Sequence, residues 1–190
     1  MRYSFCPRCI QPLADRTFLE DGGPTLRRAC PDDVCGFIHY ENPTPAVGVL
    51  IEHNGDIVLA RGAGWPDGAF ALVTGYLEKN EDPLHAVTRE VKEETNLDVI
   101  EAEIIGNYIF DRKNEVMLCY FAKCTGEIKL SAELLETKRF QPHELRPWPR
   151  ATGFAVADWM KSRGLEVQFI DRPPIVVTLP VAAATVRPTK

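Results

Sequence analysis

The sequence predicts an α/β sandwich preceded by a small cysteine-rich segment. Three observations carry this. Strand-like and helix-like runs alternate between residues 43 and 163, while residues 1–42 hold four of the six cysteines. Beyond them, Pro173, Pro174, Pro180 and Pro188 exclude a long helix from 164–190. The expected organisation is therefore a cysteine-rich unit (1–42), an α/β domain (43–163) and an extended tail (164–190).

The elements follow in order. In AVGVLIEHNGDIVLAR, Val47, Val49 and Ile51 alternate, and Asn54-Gly55 marks a two-residue hairpin before Ile57, Val58 and Leu59. FALVTGYLE reads as a short strand running into a loop at Gly75. Asp82-Pro83 opens a helix, with proline suited to its first turn. Leu84, Val87 and Val91, three and four apart, form its expected core stripe. VIEAEIIGNYIF and EVMLCYFAKC read as two strands joined by a polar DRKN turn, and GFAVADWMKSRG as a closing helix ending at Gly164. Cys119 and Cys124, five apart on a strand, fall on opposite faces and are expected to be buried free thiols.

Composition narrows the partners. Of the 190 residues, 45% are hydrophobic and 26% charged, which is enough apolar material for a core. The formal charge of −5 gives no electrostatic reason to expect nucleic acid or an anionic membrane. No apolar run reaches membrane-spanning length, and MRYSFCPRC lacks the apolar stretch of a leader, so the cytoplasm is the expected location.

Chemistry concentrates in GYLEKNEDPLHAVTREVKEETNL. These 23 residues hold six acidic groups against three basic ones, and Glu90, Glu93 and Glu94 share a helix face. Repulsion at that spacing leaves two readings, a solvated acidic face or a compensating divalent cation. Hard divalent ions such as Mg²⁺ or Mn²⁺ take oxygen ligands and would let an acidic protein bind an acidic substrate. The spacing is Gly75, five residues, Glu81, seven residues, then Arg89-Glu90-Val91-Lys92-Glu93-Glu94-Thr95-Asn96-Leu97. This resembles the box of the Nudix hydrolases over eight of nine defined positions, within a resemblance covering roughly residues 44–163. The departure is Asn96 in place of glycine. That position ends the helix in a left-handed conformation, which Asn also tolerates.

The resemblance implies a Nudix α/β/α sandwich with a mixed sheet. It implies Glu90, Glu93 and Glu94 as Mg²⁺ or Mn²⁺ ligands, joined by the Gly75 carbonyl. Arg89 would orient carboxylates, and Glu81 would support the loop. Family members often recruit a glutamate from outside the box. In LLETKRFQPHEL the match falls on Glu136, as ligand or as base, with Glu115 and Glu133 as weaker competitors and Glu144 matching only the following turn.

Cys6-Pro-Arg-Cys9 and Cys30-Pro-Asp-Asp-Val-Cys35 form two close pairs about twenty residues apart, the arrangement of a tetrahedral Cys₄ zinc site. Zinc would supply much of the folding free energy of so short a segment. His39 is an alternative fourth ligand, and Ile10 stands where a glycine often follows the first pair. A zinc ribbon ahead of such a box resembles the branch of NADH pyrophosphatases and ribbon-bearing ADP-ribose or FAD pyrophosphatases. The Ser-Gln-Pro-Trp-Pro-Phe-Pro-like marker of NADH pyrophosphatases is absent, and Pro147-Trp148-Pro149 comes too late to replace it, so Trp148 is expected to pack. The expected substrate is a small-molecule nucleotide, a nucleoside diphosphate linked to a second group (ADP-ribose, FAD or NAD(H)). Phe37, Tyr40, Trp65, Phe70 and Tyr108 are candidate base-stacking rings, Trp65 foremost because WPDG precedes the catalytic loop. Arg61 would reach a phosphate or pair with a surface acid. Alternatives are a triphosphate-sanitising enzyme and a nucleotide-sensing module without catalysis. A homodimer is expected, with the tail as a candidate arm across the partner.

Overall fold

The computed structural model describes residues 3–170. These fall into two compact units that divide between Pro43 and Thr44. The stretch 171–190, with most of the proposed arm, lies outside the described residues.

The first unit is a three-stranded sheet, β1 (Ala14–Glu20), β2 (Gly23–Ala29) and β3 (Ile38–His39), in the order β1-β2-β3. Its buried residues are few: Cys6, Leu13, Ala29 and Cys30, with Cys35 and Phe37 packed against the cluster of Cys6, Leu13 and Cys30. The turn after the first cysteine pair closes by a hydrogen bond from the Ile10 N–H to the Cys6 carbonyl, and Ile10 holds φ +64°. A β-branched side chain is strained in that left-handed region, which explains why glycine suits the position.

The second unit contains β4 (Thr44–His53), β5 (Asp56–Gly62), β6 (Val73–Tyr76), α1 (Pro83–Thr95), β7 (Asp98–Phe110), β8 (Glu115–Thr125), β9 (Leu134–Phe140) and α2 (Thr152–Ser162). The sheet runs β7-β8-β4-β5-β9, with β6 paired to β4. It is mixed, because β4 and β8 are parallel while the other pairings are antiparallel. Asn54 and Gly55 both have positive φ, and His53 pairs with Asp56, so the hairpin turn is the two-residue type its sequence predicts.

Alternation along β4 builds both core layers. Ala46 and Leu50 join Ala155, Val156, Trp159 and Met160 of α2, whereas Val47, Val49 and Ile51 join Ala86, Val87 and Val91 of α1. The result is an α/β/α sandwich. Cys119 lies in the α2 layer and Cys124 in the α1 layer, both buried and unpaired, and Trp148 packs in the α2 core. One expected core residue differs: Leu84, in the first turn of α1, stays 44% exposed, and Ala86 is buried in its place. Between α2 and residue 170 there is no further helix or strand, but Leu165, Val167 and Ile170 pack onto the α2-side core. No helix among the described residues is long and apolar enough to cross a membrane.

Candidate active site

Helix α1 is fixed at both ends by its sequence. The Asp82 side chain accepts a hydrogen bond from the Leu84 N–H, and Pro83 occupies the first turn. At the other end Asn96 takes φ 63° and ψ 7°, and its N–H donates to the Lys92 carbonyl. Asn96 therefore does the work of a C-terminal glycine. With Val87 and Val91 locked in the core, Glu90 and Glu94, each three residues further on, are held along the same flank of α1, Glu90 buried and Glu94 half-buried, while Glu93 is exposed.

Arg89 organises those acids. Its Nε and Nη2 donate to the two oxygens of Glu81 at 2.8 and 2.9 Å, and its Nη1 to Glu90 at 2.7 Å and Glu93 at 3.1 Å. Nη2 also donates to the Tyr76 carbonyl, tying the helix to the end of β6. The fork-to-fork pairing holds the Glu81 carboxyl far down, at about 2, aided by the Glu78 N–H. Gly75 makes room for Glu90: a Cβ at residue 75 would lie 1.8 Å from the Glu90 carboxyl group. Beside it, Tyr76 donates its hydroxyl proton to the buried Glu115, which pushes the phenol up to about 12. Glu115 is thus committed to the strand beneath the site.

Glu94 is different. Among the described residues no hydrogen bond or ion pair reaches its carboxylate. Burial first, then the charges of Glu90, Glu133 and Glu93, raise it to about 7. An uncompensated carboxylate facing three others is a donor set that suits a hard divalent cation.

Glu94 and Glu133 line the same cavity, of about 410 Å³, together with Gly62, Trp65, Thr74 and Leu134. Glu133 arrives there because the chain before β9 crosses the end of α1. The Ser131 N–H donates to the Glu94 carbonyl, the Lys129 N–H to that of Thr95, and the Ala63 N–H to that of Glu133. Glu136, three residues further on, is not part of that lining. A β-bulge between Arg61 and Gly62 resets the alternation, and Glu136 pairs with Arg61 across β5 and β9. Arg61 and Glu136 are therefore each other's partners, and Glu144 caps its own turn by accepting from the Gln141 N–H.

In the first unit Cys6, Cys9, Cys30 and Cys35 bring their sulfurs within 4.8 Å of one another. The pairs Cys6–Cys35 and Cys9–Cys30 stand 3.6 and 3.4 Å apart. Metal–sulfur bonds of about 2.3 Å give a tetrahedron with edges of about 3.8 Å, so the cage fits a thiolate-bound ion. His39 is outside it, packed edge-on against Tyr3. Among the described residues this is the only group of three or more donors so tightly gathered; the glutamates of α1 are spread more widely.

Residues 42–159 match the NUDIX domain. The chain belongs to the NUDIX family. Curated relatives include the NAD-capped RNA hydrolase NudC of Pseudomonas putida (strain W619), 26% identical over 155 residues, or 80% of this chain and 53% of the relative. NudC of Stutzerimonas stutzeri is 28% identical over 140 residues, 73% of this chain and 48% of the relative. The chain thus spans about half the length of the curated relatives it matches. Among solved structures, a NUDIX hydrolase from Nitrosomonas europaea superposes with a TM-score of 0.66 at 26% identity, covering 88% of this chain and 99% of that one. A MutT NUDIX hydrolase from Burkholderia pseudomallei, at 24% identity and TM-score 0.53 over 62% of this chain and 98% of its own, shares the fold. The NUDIX box and its sandwich are thus the shared part, and α1 with its carboxylates lies within it.

Proposed function

We propose that the protein is a metal-dependent pyrophosphohydrolase that cleaves a nucleoside diphosphate linked to a second group, of the NAD(H), ADP-ribose or FAD class. The observation that carries this is the Glu94 carboxylate, without a cation partner, in a cavity shared with Glu133 and Trp65. Glu90, Glu93 and Glu94 would hold Mg²⁺ or Mn²⁺, with Gly75 leaving space for the Glu90 carboxylate and Arg89 setting the carboxylates in place. A bound divalent ion would offset phosphate charge and acidify water. The chain's own carboxylates do the rest: one takes a proton from the attacking water as its oxygen bonds to phosphorus. The bridging P–O bond breaks, and the bridging oxygen leaves with the second phosphate ester. Glu133 is the carboxylate outside the box assigned to this cleft, because Glu136 is engaged by Arg61.

The four cysteines are assigned to structural Zn²⁺, on the fit of their spacing to a thiolate tetrahedron. A homodimer and a cytoplasmic location belong to the same reading. A second reading, action on NAD-linked RNA 5′ ends, is favoured by the names of the NudC relatives, of which this chain spans about half. The test is a panel of NADH, ADP-ribose, FAD, NAD-capped RNA and nucleoside triphosphates with Mg²⁺ or Mn²⁺, with products identified. The account expects a nucleoside monophosphate from the diphosphate conjugates; pyrophosphate released from triphosphates alone would replace it with the sanitising alternative.

A further inference from the structure

The loop after β5 is fastened in an unusual way. Its sequence, Arg61-Gly62-Ala63-Gly64-Trp65-Pro66-Asp67, turns back so that the Trp65 N–H donates to the Gly62 carbonyl. The indole then lies on the strand itself: a Cβ at residue 62 would come within 3.1 Å of the ring. Arg61 spans the loop. Its Nε donates to Glu136 at 2.6 Å, and its Nη1 to the Trp65 carbonyl at 3.2 Å and to Asp67 at 3.0 Å. The Arg61 side chain is only 16% exposed, so its hydrogen bonds are better shielded than those of an open surface pair. Trp65, by contrast, is 40% exposed and lines the cavity that holds Glu94 and Glu133.

We propose that Arg61 and Glu136 form a clasp that holds the Trp65 indole at the mouth of the carboxylate cleft as a stacking platform for the nucleobase. Trp65 is then a specificity residue and Arg61 a positioning residue. The argument rests on the hydrolytic reading only for the ligand's class. An indole fixed on its edge by a glycine and by its own backbone loses little freedom when a flat ring stacks on it. A cleft lined by carboxylates binds phosphates only with cations present, so discrimination between nucleotides falls to such an apolar surface. Arg61 itself is held away from phosphate by three hydrogen bonds to the protein.

The three tryptophans make this testable, because Trp148 and Trp159 are buried and Trp65 is the accessible one. Acrylamide quenching therefore reads Trp65. In the full chain with Mg²⁺, AMP is expected to protect the fluorescence, and ribose 5-phosphate, which lacks the base, is not. Glu136→Gln, and separately Arg61→Lys, should raise quenching without ligand. Each should also raise the AMP concentration for half-protection about tenfold, in line with the loss of one stacking contact. KM for the best diphosphate substrate should rise by a similar factor with a smaller change in kcat. Equal protection by ribose 5-phosphate, or AMP binding by Glu136→Gln indistinguishable from wild type, overturns the proposal. Protection is read without turnover, so failure of the hydrolytic reading would show separately, as absence of product from the wild-type chain.

Discussion

The two units of this chain each gather metal-ligating side chains, and they do so in opposite ways. In the first unit the donors are the core: two of its four buried residues are Cys6 and Cys30, and all four sulfurs converge within 4.8 Å. In the second unit the core lies in two apolar layers, and the donors line the flank of a helix at the edge of one of them. There Arg89 holds Glu81, Glu90 and Glu93 in place, while Glu94 is left uncompensated. A closed cage serves stability and leaves no position for a reactant; an open, charge-strained cleft can admit one. The two functions should therefore fail separately.

The largest expected effect is on the first unit. Removing the proposed zinc with a chelator, or replacing Cys30 by serine, should unfold residues 1–43 while the second unit keeps its fold. Amide hydrogen exchange resolved by segment checks this, and protection retained through β1 and β2 without metal would contradict it. Next comes Gly75→Ala. Its Cβ would overlap the Glu90 carboxylate at 1.8 Å. Overpacking of this kind costs about 1–3 kcal/mol, and turnover should drop on the order of 100-fold because Glu90 must move. A crystal structure of the variant with Glu90 in its original place and full activity would refute that role.

The donor network also sets an acid limit. Glu81, ordinarily near 4.5, titrates at about 2 beside Arg89. A depressed carboxyl contributes its full stability above its ordinary range and loses it as pH falls from about 4.5 to about 2. Urea midpoints of the wild type and Glu81→Gln should thus differ at neutral pH and converge over that window. The smallest expected effect returns to the first unit, where Ile10→Gly relieves φ +64° and should stabilise the ribbon by about 1 kcal/mol, read as slower metal loss to a chelator.

Much of this was legible in the residues. The spacing from Gly75 to Leu97 identified the box, Asn54-Gly55 its hairpin, and the Asn96 departure was a helix-end conformation that the structure shows. These are local features, decided within a few residues of themselves. The strands of the first unit were not legible, because β1 alternates among mostly exposed residues and has no apolar face to mark it. The sequence reading placed Glu136 ahead of Glu133, whereas the cleft is lined by Glu133. Their directions depend on a bulge between β5 and β9 and on hydrogen bonds from Ala63 and Ser131 to distant carbonyls, none of which has a local pattern.

The central claim is that the open cleft, and not the cage, performs the chemistry, with Glu94 at its centre. The most direct measurement is turnover of the best diphosphate substrate by Glu94→Gln, an isosteric change that leaves both cores intact. The expected result is a fall in kcat on the order of 10²–10⁴-fold with a thermal midpoint no lower than that of the wild type, since a repelled carboxylate is neutralised. Turnover equal to that of the wild type would show that the carboxylate on which this reading rests takes no part in the reaction.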